Sequence, residues 1–398
     1  MSILTNLEMA PRDPILGLTE AFVADDRPGK VNLGVGVYLG EDGRVPLLGC
    51  VRTAEARLAE HPAPRGYLPI DGMPTYTKAV RDLVFGAGSE PVASDRVVTV
   101  QGLGGTGALR IGAEFLRRTG ARPTALISDP SWENHQALFS RAGYEVRSYR
   151  YHAPASGGVD VAGMVADLAA AEPGTVVVLH ACCHNPTGYD LTGDDWERVA
   201  QIVAARGLVP FLDLAYQGFS EGLEADAAVV RRFASLGVPM LVASSFSKSF
   251  SLYGERVGGL SVVAADAEEA ARVRSQLKVT IRTTYSNPPT HGAAVVSAVL
   301  GDPVLRRQWE EELEGMRLRI RAMRSALVDA LAAAGAQRDF GFIAGQVGMF
   351  SYCGLSAEQM QRLRAEHAVY GTDAGRICVA ALNPANVDRV AHAVASVL

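Results

Sequence analysis

The sequence predicts an α/β protein: a mainly parallel seven-stranded sheet covered by helices, together with a smaller α+β domain. Two observations carry this. Strand and helix signals alternate from about residue 95 to 265, and the pattern changes after residue 300. The strand signals are, in order, RVVTV from Arg96, TALIS from Thr124, YEVRSY from Tyr144, TVVVLHA from Thr175, LVPFLDL from Leu208, PMLVASSF from Pro239 and GGLSVVAA from Gly258. Most are continuous apolar runs rather than alternating ones, which fits strands buried on both faces. Amphipathic stretches such as GALRIGAEFLRR, WENHQALFSRAG and DDWERVAQIVAARG separate them and read as the covering helices. Beyond residue 300, a charged helix from about Asp302 to Ala334 leads to GMFSYCG, a helix near Ser356 to His367 and an RICVAAL strand, the makings of the smaller domain. No internal repeat or low-complexity linker interrupts the chain.

Composition removes several classes of function. The 398 residues are 48% apolar, ample for a large core, and the net charge of −5 comes from scattered residues with no basic stripe. Neither nucleic acid nor a membrane surface is an expected partner. The longest apolar runs, VVVL and AAVVSAVL, fall far short of the ~18 residues a membrane span needs. The first positive charge is Arg12, so the basic-then-apolar pattern of a signal peptide is missing. Five cysteines, an odd number without CxxC spacing, fit a reducing compartment, and cytoplasm is the expected location. Cys182, Cys183 and His184 in ACCHN are adjacent, whereas metal ligands are usually spaced by two to four residues, so no metal is expected there.

Two motifs carry chemistry. In SSFSKSFSLYGERVGG, Lys248 stands just past a strand that ends near Ser244 to Phe246, and the carboxyl edge of such a sheet is where ligands bind. The second motif is Gly102-Leu-Gly104-Gly105-Thr106-Gly107. It matches GxGxxG, follows a strand and opens a helix, with Asp129 ending the next strand. Alone it would support a nucleotide-dependent oxidoreductase, although nearly a hundred residues precede it and the chain holds 41 glycines. Physically it shows only that backbone N–H groups at a helix start can receive an anion, a phosphate included.

Longer blocks resemble a known family. DPILGL, VNLGVGVY, YLPIDG, GGTGALRIGAEFL, DPSWENH, CCHNPTG, FLDLAYQGF, SFSKSFSLYGERVGGLSVV, YSNPP, GMFSYCGLS and the late GR occur in that order. Together the whole chain resembles the fold-type I pyridoxal-phosphate aminotransferases of the aspartate and aromatic amino-acid branch. The resemblance implies an N-terminal arm over 1–13, a small domain from 14–45 and 316–398, a large cofactor-binding domain over 46–315, and a homodimer with shared active sites. It also implies cis bonds at Asn185-Pro186 and Asp129-Pro130.

Carried over residue by residue, the resemblance makes Lys248 the cofactor's covalent anchor and the base that moves the substrate's proton. Asp213 of FLDLAY matches the partner of the cofactor's ring nitrogen, supported by His135. Tyr216 and Asn185 match donors to the ring oxygen, and Trp132 resembles the indole stacked on the ring. Arg256, Ser245, Gly105 and Thr106 fall where the phosphate is held, joined by Tyr67 from the neighbouring subunit. Some relatives carry serine at the position of Gly104. For substrate, Arg376 resembles the α-carboxylate clamp and Arg282 the arginine that reaches a side-chain carboxylate across the dimer, while Gly36 and Phe350 line the pocket. The implied reaction is ping-pong transfer of an amino group from an aromatic or dicarboxylic amino acid to a 2-oxo acid such as 2-oxoglutarate. Leu39 and Val45 stand where aspartate-preferring relatives have lysine and threonine, which points toward aromatic donors; Thr106 and Asn287 resemble the aspartate type. Two other readings stand beside this one: an oxidoreductase built on residues 102–107, and a protein that binds pyridoxal phosphate without turnover.

Overall fold

The computed structural model describes residues 2–10, 13, 15–153 and 157–398. Of the arm expected over 1–13, residues 1, 11 and 12 therefore lie outside the described residues. The chain divides into two compact units, Val45–Arg321 with Gly345–Gly348, and Met1–Arg44 with Ala322–Ala344 and Met349–Leu398. The division falls within one long helix, Pro303–Ala333.

Numbered along the chain, β1 (Val31–Asn32) belongs to the smaller unit. The larger unit holds β2 (Val97–Leu103), β3 (Thr124–Asp129), β4 (Glu145–Arg150), β5 (Val176–His180), β6 (Val209–Leu214), β7 (Met240–Ser245) and β8 (Val257–Val263). These seven form one sheet in the order β2-β8-β7-β6-β5-β3-β4. The block β7-β6-β5-β3-β4 is parallel, whereas β8 runs antiparallel to both β2 and β7. All seven strands expected from the sequence are present. β5, β7 and β8 are buried along their whole length, as continuous apolar runs require. β4 differs because it is an edge: its residues are mostly exposed, and Arg147 and Arg150 pair with Glu145 and Asp167. Charges of this kind block further strand addition.

The sheet order weakens the oxidoreductase reading. A dinucleotide unit needs two adjacent parallel strands joined through the glycine-rich turn. Here β2 pairs with β8 alone, antiparallel, while β3 pairs with β4 and β5. The core between sheet and helices is made by Val98, Val100, Ile111, Phe139, Val178, Phe211, Leu241 and Leu260 among others, each nearly inaccessible. Burying a side chain of this size contributes about 1.5–3 kcal/mol.

The smaller unit pairs β1 in parallel with β10 (Val369–Tyr370), after β9 (Phe350–Tyr352), which pairs antiparallel with β11 (Arg376–Cys378). The expected RICVAAL strand is shorter than its apolar run: Val379–Ala381 turn into a 3₁₀ segment while remaining buried, so burial without strand pairing accounts for their character. Ser356 starts the helix Ala357–His367 with a reciprocal capping box to Gln359. Among the described residues no helix is long and apolar enough to cross a membrane.

Candidate active site

In the larger unit the parallel strands deliver their carboxyl ends side by side. His180 at the end of β5 is the register partner of Asp213 on β6, and Asp213 is the partner of Ala243 on β7. β3 ends at Asp129, and the cis Asp129-Pro130 bond starts the turn carrying Ser131, Trp132 and His135. The Asn185-Pro186 bond beyond β5 is also cis.

Asp213 is buried, and a carboxylate there needs donors. His135 supplies one, its Nε2 donating to Oδ2 at 3.0 Å, while Nδ1 pairs with the Ser131 hydroxyl at 3.0 Å. Burial pushes the Asp213 carboxyl up, but the His135 hydrogen bond, the His135 ring and the Lys248 ammonium outweigh it, leaving the group below its ordinary value. The result is a carboxylate held ionised inside the protein. His180 lies behind it, buried, with neither ring nitrogen hydrogen-bonded among the described residues; burial pushes it down to about 3, so the ring is neutral. His184 is stacked 3.8 Å from the Tyr151 ring and bonded to Thr187 and Ser128, which makes it a structural residue. His135, His180 and Asp213 bring three ligand-type atoms within 4.8 Å of one another, a tighter group than the Cys182-Cys183-His184 run considered from sequence.

Lys248 follows β7 directly. Its Nζ sits 4.8 Å from the centroid of the buried Tyr216 ring. Burial pushes this amine down to about 8, with Arg256 adding to the effect and Asp213 opposing it. The chain has four lysines. Lys30 donates to the carbonyls of Phe22 and Asp25, Lys78 pairs with Asp82 and Lys278 with Asp71, so Lys248 is the one placed as a nucleophile. Trp132, half-buried, meets His135 edge-on at 5.3 Å, and Asn185 is buried on the neighbouring loop.

An anion cradle adjoins this group. The helix Gly104–Leu116 begins where Gly104 N–H donates to the Arg256 carbonyl at 2.8 Å. That approach depends on Gly258: a Cβ there would lie 2.4 Å from the Gly104 carbonyl carbon. The first-turn N–H groups, including those of Gly105 and Thr106, have no intrahelical acceptor and carry the positive end of the helix dipole. Ser245 packs against Gly105, its Cβ 3.2 Å from where a Gly105 Cβ would stand. Arg256 takes a left-handed backbone, φ 56°, and donates to Ser247 Oγ at 3.3 Å and to the Tyr253 carbonyl. A side chain at Gly104 would meet Arg256 Nη2 at 2.5 Å, so a serine there requires the guanidinium to shift.

In the smaller unit, Arg376 is 1% exposed and donates from Nη2 to the Gly34 carbonyl at 2.8 Å. Its guanidinium lies 4.4 Å over the Phe350 ring, and Phe350 in turn touches Gly36. Gly36, Phe350 and Arg376 thus form one group. Tyr67 is 96% exposed, and Arg282 is exposed near the end of the helix Ala267–Thr284, donating to Ser286. Neither joins these groups by a hydrogen bond or ring contact among the described residues. His180 escaped sequence reasoning; its signal was the HxxxH spacing to His184 at the end of an apolar strand.

Comparisons with known proteins identify the family. Residues 28–394 match the family described as aminotransferase class I and II. The chain is 59% identical over its full length, and the full length of the relative, to aspartate aminotransferase of Pseudomonas aeruginosa. It is 52% identical to aromatic-amino-acid aminotransferase of Escherichia coli, with 97% of this chain and 98% of that one covered. A crystal structure of aromatic-amino-acid aminotransferase from Burkholderia pseudomallei, covalently bound to pyridoxal phosphate, superposes with a TM-score of 0.97 at 60% identity over the whole of both chains. With the ionised Asp213, the low-pKa Lys248 and the helix-start cradle in place, the chain belongs to the class I and II aminotransferases, in their aspartate and aromatic amino-acid branch.

Proposed function

We propose that this protein uses pyridoxal 5′-phosphate at Lys248 to move an amino group from aromatic and dicarboxylic amino acids to a 2-oxo acid such as 2-oxoglutarate, in two half-reactions that alternate on one site. The observation that carries this is the pairing of a lysine pushed down to about 8 with a buried carboxylate held ionised by His135. The donor set fits the cofactor: an amine for its aldehyde, a carboxylate for its ring N–H, and a helix start with Arg256 and Ser245 for its phosphate. When bound, the cofactor supplies a conjugated ring that delocalises the electron pair left at the substrate Cα.

Each residue then has a task. Lys248, with its proton loosely held, takes the proton from Cα and returns it. Asp213 keeps a positive charge on the ring nitrogen, and His135 fixes the carboxylate's orientation. Tyr216 and Asn185 donate to the ring oxygen, and Trp132 covers the ring face. Arg376 pairs with the substrate α-carboxylate; Gly36 leaves room beside it, and Phe350 walls the pocket. Tyr67 and Arg282, exposed on one copy, act in the site of a second copy, which makes the working enzyme a homodimer with shared sites. Leu39 and Val45 favour aromatic donors over aspartate by about 1–3 kcal/mol, since an apolar wall is easier to desolvate than a cation and a hydroxyl. None of the five cysteines is joined in a disulfide and all are buried, which supports a reducing, cytoplasmic setting.

Lys248→Ala tests the assignment. It is expected to fold, to retain cofactor through Arg256 and Asp213, and to lose more than about a thousandfold in turnover, within the range of a positioned general base. Transamination near the wild-type rate in that variant overturns it.

A further inference from the structure

Two carboxylates that this chemistry does not use, the half-buried Asp190 and the buried Asp226, hold the loops after β5 and β6. Asp190 spreads its two oxygens onto the main chain: Cys183 N–H donates to Oδ2 at 2.7 Å and His184 N–H to Oδ1 at 2.8 Å. The Ser220 hydroxyl also donates to Oδ2, at 3.4 Å. Asp226 treats the next loop alike, accepting from the N–H groups of Gly218, Ser220 and Glu221 at 2.8, 3.0 and 2.9 Å.

The position of the Asp190 grip matters. Cys183 has φ 52°, a left-handed conformation that a non-glycine residue adopts at a cost of roughly 1–2 kcal/mol, so something must hold it. The two N–H groups held are those of the residues immediately before Asn185. Cys183 Sγ also lies 3.9 Å from the carbonyl of Tyr216, so the same clasp ties the Asn185 loop to the loop of the second ring-oxygen donor.

We propose that Asp190 is a positioning residue: ionised, it holds residues 183–185 so that Asn185 meets the cofactor, and on protonation it releases that hold and limits catalysis in acid. The proposal rests on the assignment of Asn185 as a cofactor contact. A protonated acid presents an O–H where an accepting oxygen stood, so one of the two backbone N–H groups loses its partner. Burial pushes Asp190 up to about 6 despite the N–H groups of His184 and Cys183, and the charge of Asp226 adds to the rise. The other titratable groups around it are Cys182, Cys183, His184 and Tyr189 on its own segment, Tyr151 from the segment after β4, and Glu221, Glu197 and Arg232. Glu197 and Arg232 pair with each other at 2.6 Å, and Glu221 pairs with Arg321 at 2.6 Å, leaving Asp226 as the nearby charge that adds to the rise. Protons can reach the site, because Asp190 lines a cavity of about 550 Å³ whose wall includes the partly exposed Glu197 and Arg232.

Asp190→Asn, nearly identical in size, places an NH₂ against one backbone N–H at every pH and so mimics the protonated state. Three readouts are taken: kcat against pH, the pH midpoint of the bound cofactor's visible band, and the affinity of the apoenzyme for pyridoxal phosphate by calorimetry. Wild type is expected to lose about tenfold in kcat as pH falls through about 6, the loss of one charge-assisted hydrogen bond. Asp190→Asn is expected to show that loss already at neutral pH, with no inflection near 6, an upward shift of the visible midpoint by about one unit, and weaker cofactor affinity. An Asp190→Asn enzyme with wild-type kcat, midpoint and affinity overturns the proposal; so does a wild-type profile with no inflection, which needs no variant to fold. Asn185→Ala separates the two layers. If it leaves the midpoint and affinity unchanged, the Asn185 assignment fails and the proposal with it. If it shifts both while Asp190→Asn shifts neither, only the Asp190 proposal fails.

Discussion

Gly36→Ala is a one-carbon probe of the substrate-carboxylate group. A Cβ on Gly36 would stand 2.5 Å from Phe350 Cζ and 3.2 Å from Cε1, where ordinary contact begins near 3.4 Å. The ring therefore has to retreat by nearly an ångström. Phe350 is 3% exposed, and its carbonyl accepts from the buried Arg324, so the retreat must be a ring rotation within a packed core. Overpacking of this kind costs about 1–3 kcal/mol. The ring also lies under Arg376 at 4.4 Å, so its movement shifts the guanidinium assigned to the α-carboxylate. Misplacing a positioning group by about an ångström costs about a hundredfold in rate. The assay is steady-state kinetics with aspartate and phenylalanine as donors and 2-oxoglutarate as acceptor, beside thermal unfolding. The expected result is a modest fall in Tm and a drop of about ten- to a hundredfold in kcat/KM for both donors, because every amino acid carries an α-carboxylate. Wild-type kcat/KM with either donor would refute the placement of Gly36, Phe350 and Arg376 around that carboxylate.

Arg282→Leu is expected to separate the donor classes: kcat/KM for aspartate and glutamate falls by about ten- to a hundredfold, the value of a charged hydrogen-bonded pair, while phenylalanine and tyrosine change little. Equal losses in a donor panel would show that Arg282 does not read the distal carboxylate, and a wild-type enzyme with aspartate far ahead of every aromatic donor would overturn the reading of Leu39 and Val45. For the apoenzyme, Lys248 has its native pKa lowered to about 8 from 10.5, so between these values the unfolded chain binds a proton that the native chain does not. Its contribution to stability therefore rises with pH across that window. Denaturant unfolding of apo wild type and apo Lys248→Met across pH 7.5 to 10.5 should show that rise in the wild type alone; parallel curves would contradict it.

The strands of the large sheet were legible because a parallel strand buried on both faces is apolar along most of its length, as the runs VVVL, VPFL and MLVA are. Lys248 and Asp213 were legible for a related reason, as polar residues at the ends of such runs. RICVAAL overran its strand because apolar character reports burial, and Val379–Ala381 are buried without pairing. His180 and Asp190 were not legible. The first matters through its register with Asp213 on a different strand, and the second through a loop folding back over its carboxylate. Both depend on contacts that one-dimensional pattern does not encode. Tyr67 and Arg282 rest on the resemblance alone, since their exposure in a single chain gives them no partner in either cluster.

The central claim is that Lys248 carries the cofactor. Reduction of the holoenzyme with borohydride, followed by proteolysis and mass spectrometry, reads this directly among four lysines. The account predicts a pyridoxyl-phosphate adduct on the peptide containing Ser247, Lys248 and Ser249 and on no other. An adduct on Lys30, Lys78 or Lys278, or a reduced holoenzyme with no covalent adduct at all, would contradict it.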